Sequence, residues 1–167
     1  LINERVSNDP TSDKHIVLCT TNKTADNINL EKLNKINKPE FLYLAEVEDD
    51  FPIENRNLPA ELELKLKKGA KVLFTKNGFG GGWVNGTLGV VQSLDKDSIQ
   101  VKIDSSGKIV DAGIEEWDNI KYEYDDKSGE IIEKVIGKLK QYPLRLAWAI
   151  TIHKSQGMSF DNVCLDF

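Results

Sequence analysis

The 167-residue sequence has the composition of a folded globular protein. Hydrophobic residues make up 40% and charged residues 29%, and no apolar run approaches the roughly 18 to 20 residues that a transmembrane helix needs. No signal-peptide pattern is present, so we expect a soluble intracellular protein, cytoplasmic or associated with a bacterial nucleoid, with no membrane partner. The net charge of −5 argues against a protein that coats nucleic acid by bulk electrostatics, although it is compatible with a narrow basic track.

The first part of the chain has the pattern of an α/β unit. Residues 15–21 are apolar and β-prone and predict a buried strand. A helix follows, with Thr21 or Asn22 as its N-cap and Pro39 marking its end. Its predicted apolar face consists of Ala25, Ile28, Leu33 and Ile36. Residues 41–47 predict another strand.

After an acidic, proline-containing stretch the pattern changes to short strands separated by turns. Leucines alternate with charged residues over 62–66, and the remaining strands are predicted at 70–75, 87–94, 99–103, 108–114, 120–124 and 131–136. Asn85-Gly86 is a strong signal for a hairpin turn. This series of strands without a helix predicts a small antiparallel barrel over residues 61–139. The barrel would be inserted between two parts of one α/β domain, residues 1–60 and 140–167.

The α/β pattern returns after Pro143. Alternation over residues 144–151 predicts one strand, and residues 161–167 predict another after a tight turn or one helical turn at 152–157. The sequence TIHKSQG at 151–157 therefore places hydroxyl, imidazole, ammonium and amide groups at the carboxyl end of a strand, where open α/β sheets bind ligands. These groups suit a polyanion. The alternative is a polar loop that only caps and packs.

Other features also admit two interpretations. Trp148 could stack on a nucleic-acid base, but its alternation with leucines favours a place in the core. Cys19 and Cys164 lie in strand-like runs and are expected to be buried free thiols rather than a disulfide. A cluster of lysines could form a basic track or a solvated face, and its members are Lys65, Lys67, Lys68, Lys71 and Lys76.

Three segments resemble one known family and occur in its order. Residues 144–157, LRLAWAITIHKSQG, closely resemble motif V of superfamily 1B DNA helicases, the RecD, Dda and PIF-like group. Residues 18–29 resemble the strand and helix that follow motif IV, and residues 66–91 resemble the opening of the SH3-like barrel that these helicases insert in their second RecA-like domain. The resemblance implies an α/β fold, a partial second RecA-like domain, with an inserted small all-β SH3-like barrel. It also implies a parent protein that translocates on DNA and unwinds it with ATP.

The resemblance assigns roles to individual residues. The start of motif V contacts the backbone of single-stranded DNA, which carries over to Thr151 and His153. Lys154 could serve the DNA or the nucleotide, and Thr21 and Asn22 are further candidate DNA contacts. The later part of motif V faces the nucleotide, which carries over to Gln156, Gly157 and Ser159. The implied partners are single-stranded DNA and the N-terminal RecA-like domain of the same parent chain.

The sequence also departs from a complete helicase. It has no G-x-x-x-x-G-K-[ST] phosphate loop and no acidic magnesium motif, and the glycine-rich segment 78–83 fails the dinucleotide pattern because Trp83 replaces the last glycine. The arginine-bearing motif VI would begin beyond Phe167. Because the chain starts at Leu1 and stops within an apolar run, we expect a fragment. ATP and Mg²⁺ would then bind the full-length parent, with no complete catalytic site, no metal site and no ATP hydrolysis in this chain alone.

The main alternative to a helicase is a non-enzymatic module whose β-barrel binds nucleic acid or protein. A phosphate loop upstream in the parent reading frame would decide for the helicase. A nuclease is disfavoured, because the sequence offers no carboxylate cluster with the character of a metal site.

Overall fold

A computed structural model describes residues 15–54, 58–78, 81–125, 129–158, 160 and 162–166. Within this part of the chain one helix accompanies thirteen strands. Their bounds are β1 Ile16–Cys19, α1 Asn22–Lys35, β2 Glu40–Leu44, β3 Glu46–Asp49, β4 Glu63–Lys67, β5 Lys71–Phe74, β6 Leu88–Leu94, β7 Ile99–Ile103, β8 Ile109–Asp111, β9 Glu115–Asp125, β10 Glu130–Gln141, β11 Leu144–Leu146, β12 Ala149–Thr151 and β13 Val163–Asp166.

The α/β part is a small parallel sheet with α1 packed against it. Strand β1 lies in the centre and pairs in parallel with both β12 and β13. The predicted N-cap is confirmed, since the Thr21 hydroxyl accepts a hydrogen bond from the backbone N–H of Thr24 at 3.1 Å. The buried face of α1 consists of Ala25, Asn29 and Leu33. Ala25 and Leu33 were predicted to be buried; Asn29 was not.

The predicted strand over residues 41–47 is instead two strands with different partners. Strand β2 pairs with β4, whereas β3 pairs with β10. The chain passes from one partner to the other at Ala45, whose N–H donates to the carbonyl of Leu62 at 2.9 Å. Since each strand satisfies its backbone in a different sheet, one continuous strand was a wrong prediction.

The β-rich part contains the predicted hairpins. Strands β11, β5, β6, β7 and β8 form an antiparallel five-stranded sheet in that order. The predicted turn at Asn85-Gly86 is present near the end of the longer connection between β5 and β6, where the N–H of Thr87 donates to the carbonyl of Val84 at 3.0 Å. Gly86 has a φ of 91°, a conformation that favours glycine. Strands β9 and β10 pair with each other over most of their length, from Glu130 opposite Asp125 to Gln141 opposite Glu115.

The predicted closed barrel is not confirmed. Among the described residues, the five-stranded sheet ends at β8 on one side and at β11 on the other. The strands that could have closed it pair elsewhere: β9 pairs with β10, and β4 pairs with β2. These pairings satisfy the backbone groups that closure of a barrel would otherwise use.

The predicted strand over residues 144–151 is also wrong, and Asn29 explains why. Strand β11 belongs to the five-stranded sheet, whereas β12 belongs to the parallel sheet. Between them, the buried Asn29 side chain donates to the carbonyl of Ala149 at 2.8 Å and accepts from its N–H at 2.9 Å. It also donates to the carbonyl of Leu146 at 3.4 Å. The amide thus takes the place of a neighbouring strand where the chain changes sheets.

One hydrophobic cluster spans the two parts, and a second, smaller cluster of Val17, Cys19, Ala25 and Ala149 lies between α1 and the parallel sheet. Trp148 is 6% exposed and lies in the same cluster as Leu33 of α1 and Phe74 of β5, so its predicted place in the core is confirmed. Strand pairing crosses the boundaries predicted at 60/61 and 139/140, because β2, β3 and β11 pair with strands of the intervening segment. The division into an insert and two flanking pieces stays a prediction. Cys19 is buried as predicted, whereas Cys164 is only partly buried.

We predict that Asn29→Ala destabilises this chain by about 2–3 kcal/mol, because it leaves the buried backbone groups of Ala149 without partners. Urea unfolding followed by circular dichroism measures the difference. The matched control is Asn27→Ala on the exposed side of the same helix, which should change the free energy of unfolding by less than about 0.5 kcal/mol. Equal effects of the two substitutions would contradict the role given to Asn29.

Candidate nucleic-acid interface

The predicted DNA-contacting segments meet at one edge of the parallel sheet. Cys19 of β1 lies opposite Thr151 of β12, and the N–H of Ile152 donates to the carbonyl of Cys19 at 3.0 Å. Because β1 and β12 run in the same direction, the segments that follow them emerge side by side. Thr21 and Asn22 therefore lie next to the beginning of the motif V segment.

The segment after β12 is wound into a compact hydrogen-bonded turn. The N–H of Ser155 donates to the carbonyl of Thr151 at 3.1 Å, and the Ser155 hydroxyl donates to the carbonyl of Ile152 at 2.7 Å. The turn ends at Gly157, whose φ of 79° suits glycine. We call residues 152–157 the motif V turn. It confirms the tight turn predicted there.

A cleft of about 620 Å³ separates α1 and the motif V turn from β4, β11 and the chain around residues 58–61. Its helix side includes Asn22, Asp26 and Asn29, and its motif V side includes Thr151, His153 and Lys154. The opposite wall includes Leu58, Glu61, Lys65 and Arg145. The accessible lining of the cleft is mostly apolar, and it carries the cations Lys65, Arg145 and Lys154 together with the carboxylates Asp26, Glu61 and Glu63. Cationic side chains on both walls can contact an extended polyanion.

The cleft separates the predicted site residues into two groups. Asn22, His153 and Lys154 line it, as does Thr151, which is only 5% exposed. Gln156 and Gly157 are exposed and lie outside its lining. Thr21 is exposed beside it, with its hydroxyl engaged in the helix cap. Ser159 lies outside the described residues.

The fold shifts the pKa of Lys154, one of the cations that line the cleft. Burial lowers its pKa from the ordinary value of 10.5, and the neighbouring Arg145 guanidinium lowers it further. Glu61 and Asp26 act in the opposite direction without cancelling the effect. The fold therefore disfavours the protonated form of Lys154, mainly because of burial, and an anion in the cleft would favour that form.

Arg145 is held rigidly on the opposite wall. Its side chain is 16% exposed, its Nη2 donates to the carbonyl of Leu58, and its Nε lies 3.2 Å from a carboxylate oxygen of Glu61. These partners hold the segment around residues 58–61 against β11, so Arg145 shapes the cleft as well as charging it.

Comparison with known proteins identifies relatives over most of the chain. The ATP-dependent DNA helicase Pif1 of Campylobacter jejuni is 30% identical over 92% of this chain. The Pif1 helicase of Bdellovibrio bacteriovorus is also 30% identical, over 99% of this chain. The solved structure of unliganded Pif1 from Bacteroides sp is 37% identical over 92% of this chain, with a TM-score of 0.82. No family model matches the sequence.

The chain is homologous to the Pif1 helicases of superfamily 1B. It spans 36% of the length of the Campylobacter relative and 34% of the Bacteroides chain, about a third of a Pif1 helicase. Another Bacteroides Pif1 structure, solved bound to single-stranded DNA, is 37% identical with a TM-score of 0.77. A third contains ADP-AlF4 and has a TM-score of 0.81 at 33% identity.

Three residues that organise this Pif1-like cleft were missed at the level of sequence. Arg145 was included in motif V but assigned to the face of a continuous strand, and Glu61 had no distinguishing pattern. Asn29 did carry a signal, because it stands at the centre of the i, i+4, i+8 series Ala25, Asn29 and Leu33. A polar side chain within a buried helical stripe indicates a buried hydrogen-bonding role.

The lysine cluster does not form a continuous basic track. Lys67 donates to the carbonyl of Ile36 at 3.3 Å, and Lys76 donates to the carbonyl of Glu116 at 2.6 Å and lies 3.1 Å from the carboxylate of Glu115. Lys65 is the member that lines the cleft.

No group of three or more His, Cys, Asp or Glu side chains suited to a metal ion occurs among the described residues. The described helix also lacks the length and apolar character needed to cross a membrane.

We predict that Lys154→Met raises the free energy of unfolding of this chain at neutral pH, because the fold disfavours the protonated amine. Because the pKa of Lys154 is lower in the folded chain than in the unfolded chain, the unfolded chain binds more protons at pH values just below 10.5. The free energy of unfolding of the unsubstituted chain therefore rises with pH in that range. The advantage of Lys154→Met should therefore shrink as the pH rises from 7 to about 10. Urea unfolding at both pH values measures this, with the exposed Lys108→Met as control. A destabilised Lys154→Met protein at pH 7 would contradict the assigned electrostatics.

Proposed function

We propose that this chain is part of an ATP-dependent DNA helicase, in which it supplies contacts to single-stranded DNA and one face of the ATP cleft. The observation that carries the proposal is the division of the motif V segment: Thr151, His153 and Lys154 line the cleft with Asn22, whereas Gln156 and Gly157 lie outside it. Homology to Pif1 helicases supports the same assignment. Phosphate-loop chemistry would come from the N-terminal RecA-like domain of the parent chain.

On the DNA side, the contacts are expected to be made to phosphate rather than to bases. The Lys154 ammonium offers charge, and the Thr151 hydroxyl, the His153 imidazole and the Asn22 amide offer hydrogen bonds. Thr21 is a further candidate at the edge of the cleft. Such contacts carry no sequence information directly, so they suit an enzyme that moves along any strand.

The opposite wall of the cleft comes from the β-rich segment. We propose that this segment belongs to the SH3-like insert of the parent, and that Arg145 and Lys65 hold the DNA strand from that side. With Lys154 facing them, the strand would pass between cations on two walls. The cleft would then guide DNA although the whole chain is acidic.

On the nucleotide side, Gln156 and Gly157 are exposed and do not line the cleft, and Ser159 follows outside the described residues. ATP bound with Mg²⁺ in the parent would supply the phosphoryl group and its charge neutralisation. The role of Gln156 is then to contact nucleotide across the interface between the two motor domains. Since the rest of that site is missing from the sequence, ATP hydrolysis by this chain alone is not expected.

We predict that Lys154→Ala in the full-length parent reduces the salt dependence of single-stranded DNA binding. Loss of one phosphate contact by a cation should reduce the slope of log K against log salt by about 0.7. Thr151→Ala removes a neutral hydrogen bond, so affinity should fall several-fold, on the order of 0.5–1.5 kcal/mol, with the slope almost unchanged. Fluorescence anisotropy across a salt series measures both. The control is Lys108→Ala, which changes an exposed lysine away from the cleft. If Lys154→Ala has the same slope as the parent, Lys154 does not contact DNA phosphate.

We predict that Gln156→Ala in the parent lowers maximal DNA-stimulated ATPase and unwinding, because it removes a contact made through nucleotide. DNA affinity without nucleotide should stay close to the parent's, and Thr151→Ala should instead raise the DNA concentration that half-stimulates the ATPase. Steady-state ATPase titrations with DNA separate the two effects. If both variants show the same kinetic defect and the same loss of melting temperature, the turn only packs and the proposal fails.

A further inference from the structure

The hairpin turn between β5 and β6 contacts the residue that follows the motif V turn. A Cβ atom placed on Gly86 would lie 3.1 Å from Cγ of Met158, 3.4 Å from its Sδ and 3.6 Å from its Cε. All three nearest atoms belong to the Met158 side chain. Because Gly86 has no side chain, the thioether packs directly against the backbone of the hairpin.

The hairpin side of this contact is rigidly held. The N–H of Gly86 donates to the carbonyl of Phe74 at 2.8 Å, and the N–H of Asn85 donates to the side chain of Asn77 at 2.8 Å. Phe74 is fully buried in the shared core and stacks on Trp83 with ring centroids 4.5 Å apart. These contacts tie the hairpin turn to β5 of the five-stranded sheet.

The other side of the contact is continuous with the proposed DNA and nucleotide residues. The N–H of Met158 donates to the carbonyl of Ser155 at 3.1 Å, and the N–H of Ser155 donates to the carbonyl of Thr151. Lys154 and Gln156 both lie within this short hydrogen-bonded stretch. A displacement of Met158 is thus transmitted to both of them.

We propose that Met158 is a positioning residue that links the β-rich segment to the motif V turn, an inference that rests on the proposed function. When nucleotide moves the turn, the contact of Met158 with the Gly86 backbone makes the hairpin move with it. The opposite wall of the cleft then shifts together with Lys154, and the grip on DNA changes as a unit. A flexible, polarisable thioether suits this role because it can keep close packing against the glycine backbone as the turn moves.

The test compares Met158→Ala with Met158→Leu in the full-length parent. Single-stranded DNA affinity is measured without nucleotide and with a non-hydrolysable ATP analogue, alongside melting temperature. Met158→Ala should reduce the ratio of the two affinities by about threefold or more, with nucleotide-free affinity and melting temperature near the parent's. Met158→Leu, which preserves most of the apolar contact, should keep the parent's ratio.

A second substitution approaches the same contact from the hairpin. Gly86→Ala adds a methyl group against Met158 and is also strained by its φ of 91°, so it should change the ratio too. In the double variant with Met158→Ala, the effects on the ratio should not add, because both act on one contact.

Three results would overturn the inference. The first is that Met158→Ala leaves the ratio of DNA affinities with and without the ATP analogue unchanged. The second is that this ratio falls only in proportion to the melting temperature. The third is that the effects of Met158→Ala and Gly86→Ala on the ratio add. A parent whose DNA affinity does not respond to nucleotide would overturn both this inference and the proposed coupling. An unchanged ratio in Met158→Ala with the parent's response intact overturns this inference alone.

Discussion

The geometry of the cleft depends on the buried amide of Asn29. Its three hydrogen bonds to the backbone of Leu146 and Ala149 fix the point where the chain leaves the five-stranded sheet and enters the parallel one. Strand β12 begins at this point and ends two residues later at Thr151, so the start of the motif V turn is set by a side chain of α1. The same helix contributes Asn22 and Asp26 to the cleft. The Asn29 amide therefore positions both the helix side and the motif V side of the cleft.

The cleft contains a lysine, Lys154, whose positive charge is unfavourable in the free protein but would favour the binding of a phosphate. Lys154 lies where burial and Arg145 oppose its protonated form, and such a position is unfavourable for stability alone. The negative charge of an entering phosphate would offset both effects, which ties the electrostatic cost in the free protein to affinity in the complex. This arrangement explains how an acidic chain could hold DNA: the relevant cations are few, close together and partly desolvated.

Local signals predicted local structure well. The strand before Thr21, the helix cap at Thr21, the turn at Asn85-Gly86 and the turn after Thr151 each depend on residues near in sequence, and all are present. The errors occur where partners are distant. Nothing within residues 144–151 shows that the first three residues pair with β5 and the last three with β1, because the amide that separates them is contributed by Asn29, 120 residues from Ala149. The closed barrel was likewise expected from the number of strands, whereas the observed pairings of β10 with β3 and of β11 with β5 join residues distant in sequence.

The central claim is that a DNA strand runs between the motif V side of the cleft and the β-rich wall. Site-specific photocrosslinking in the full-length parent tests it most directly, with a photoreactive residue at Lys65 on the cleft wall or at Ile109, an exposed position on β8 at the far edge of the five-stranded sheet. The account predicts a crosslink to single-stranded DNA from position 65 and little or none from position 109. Equal crosslinking from both positions, or crosslinking from position 109 alone, would contradict it.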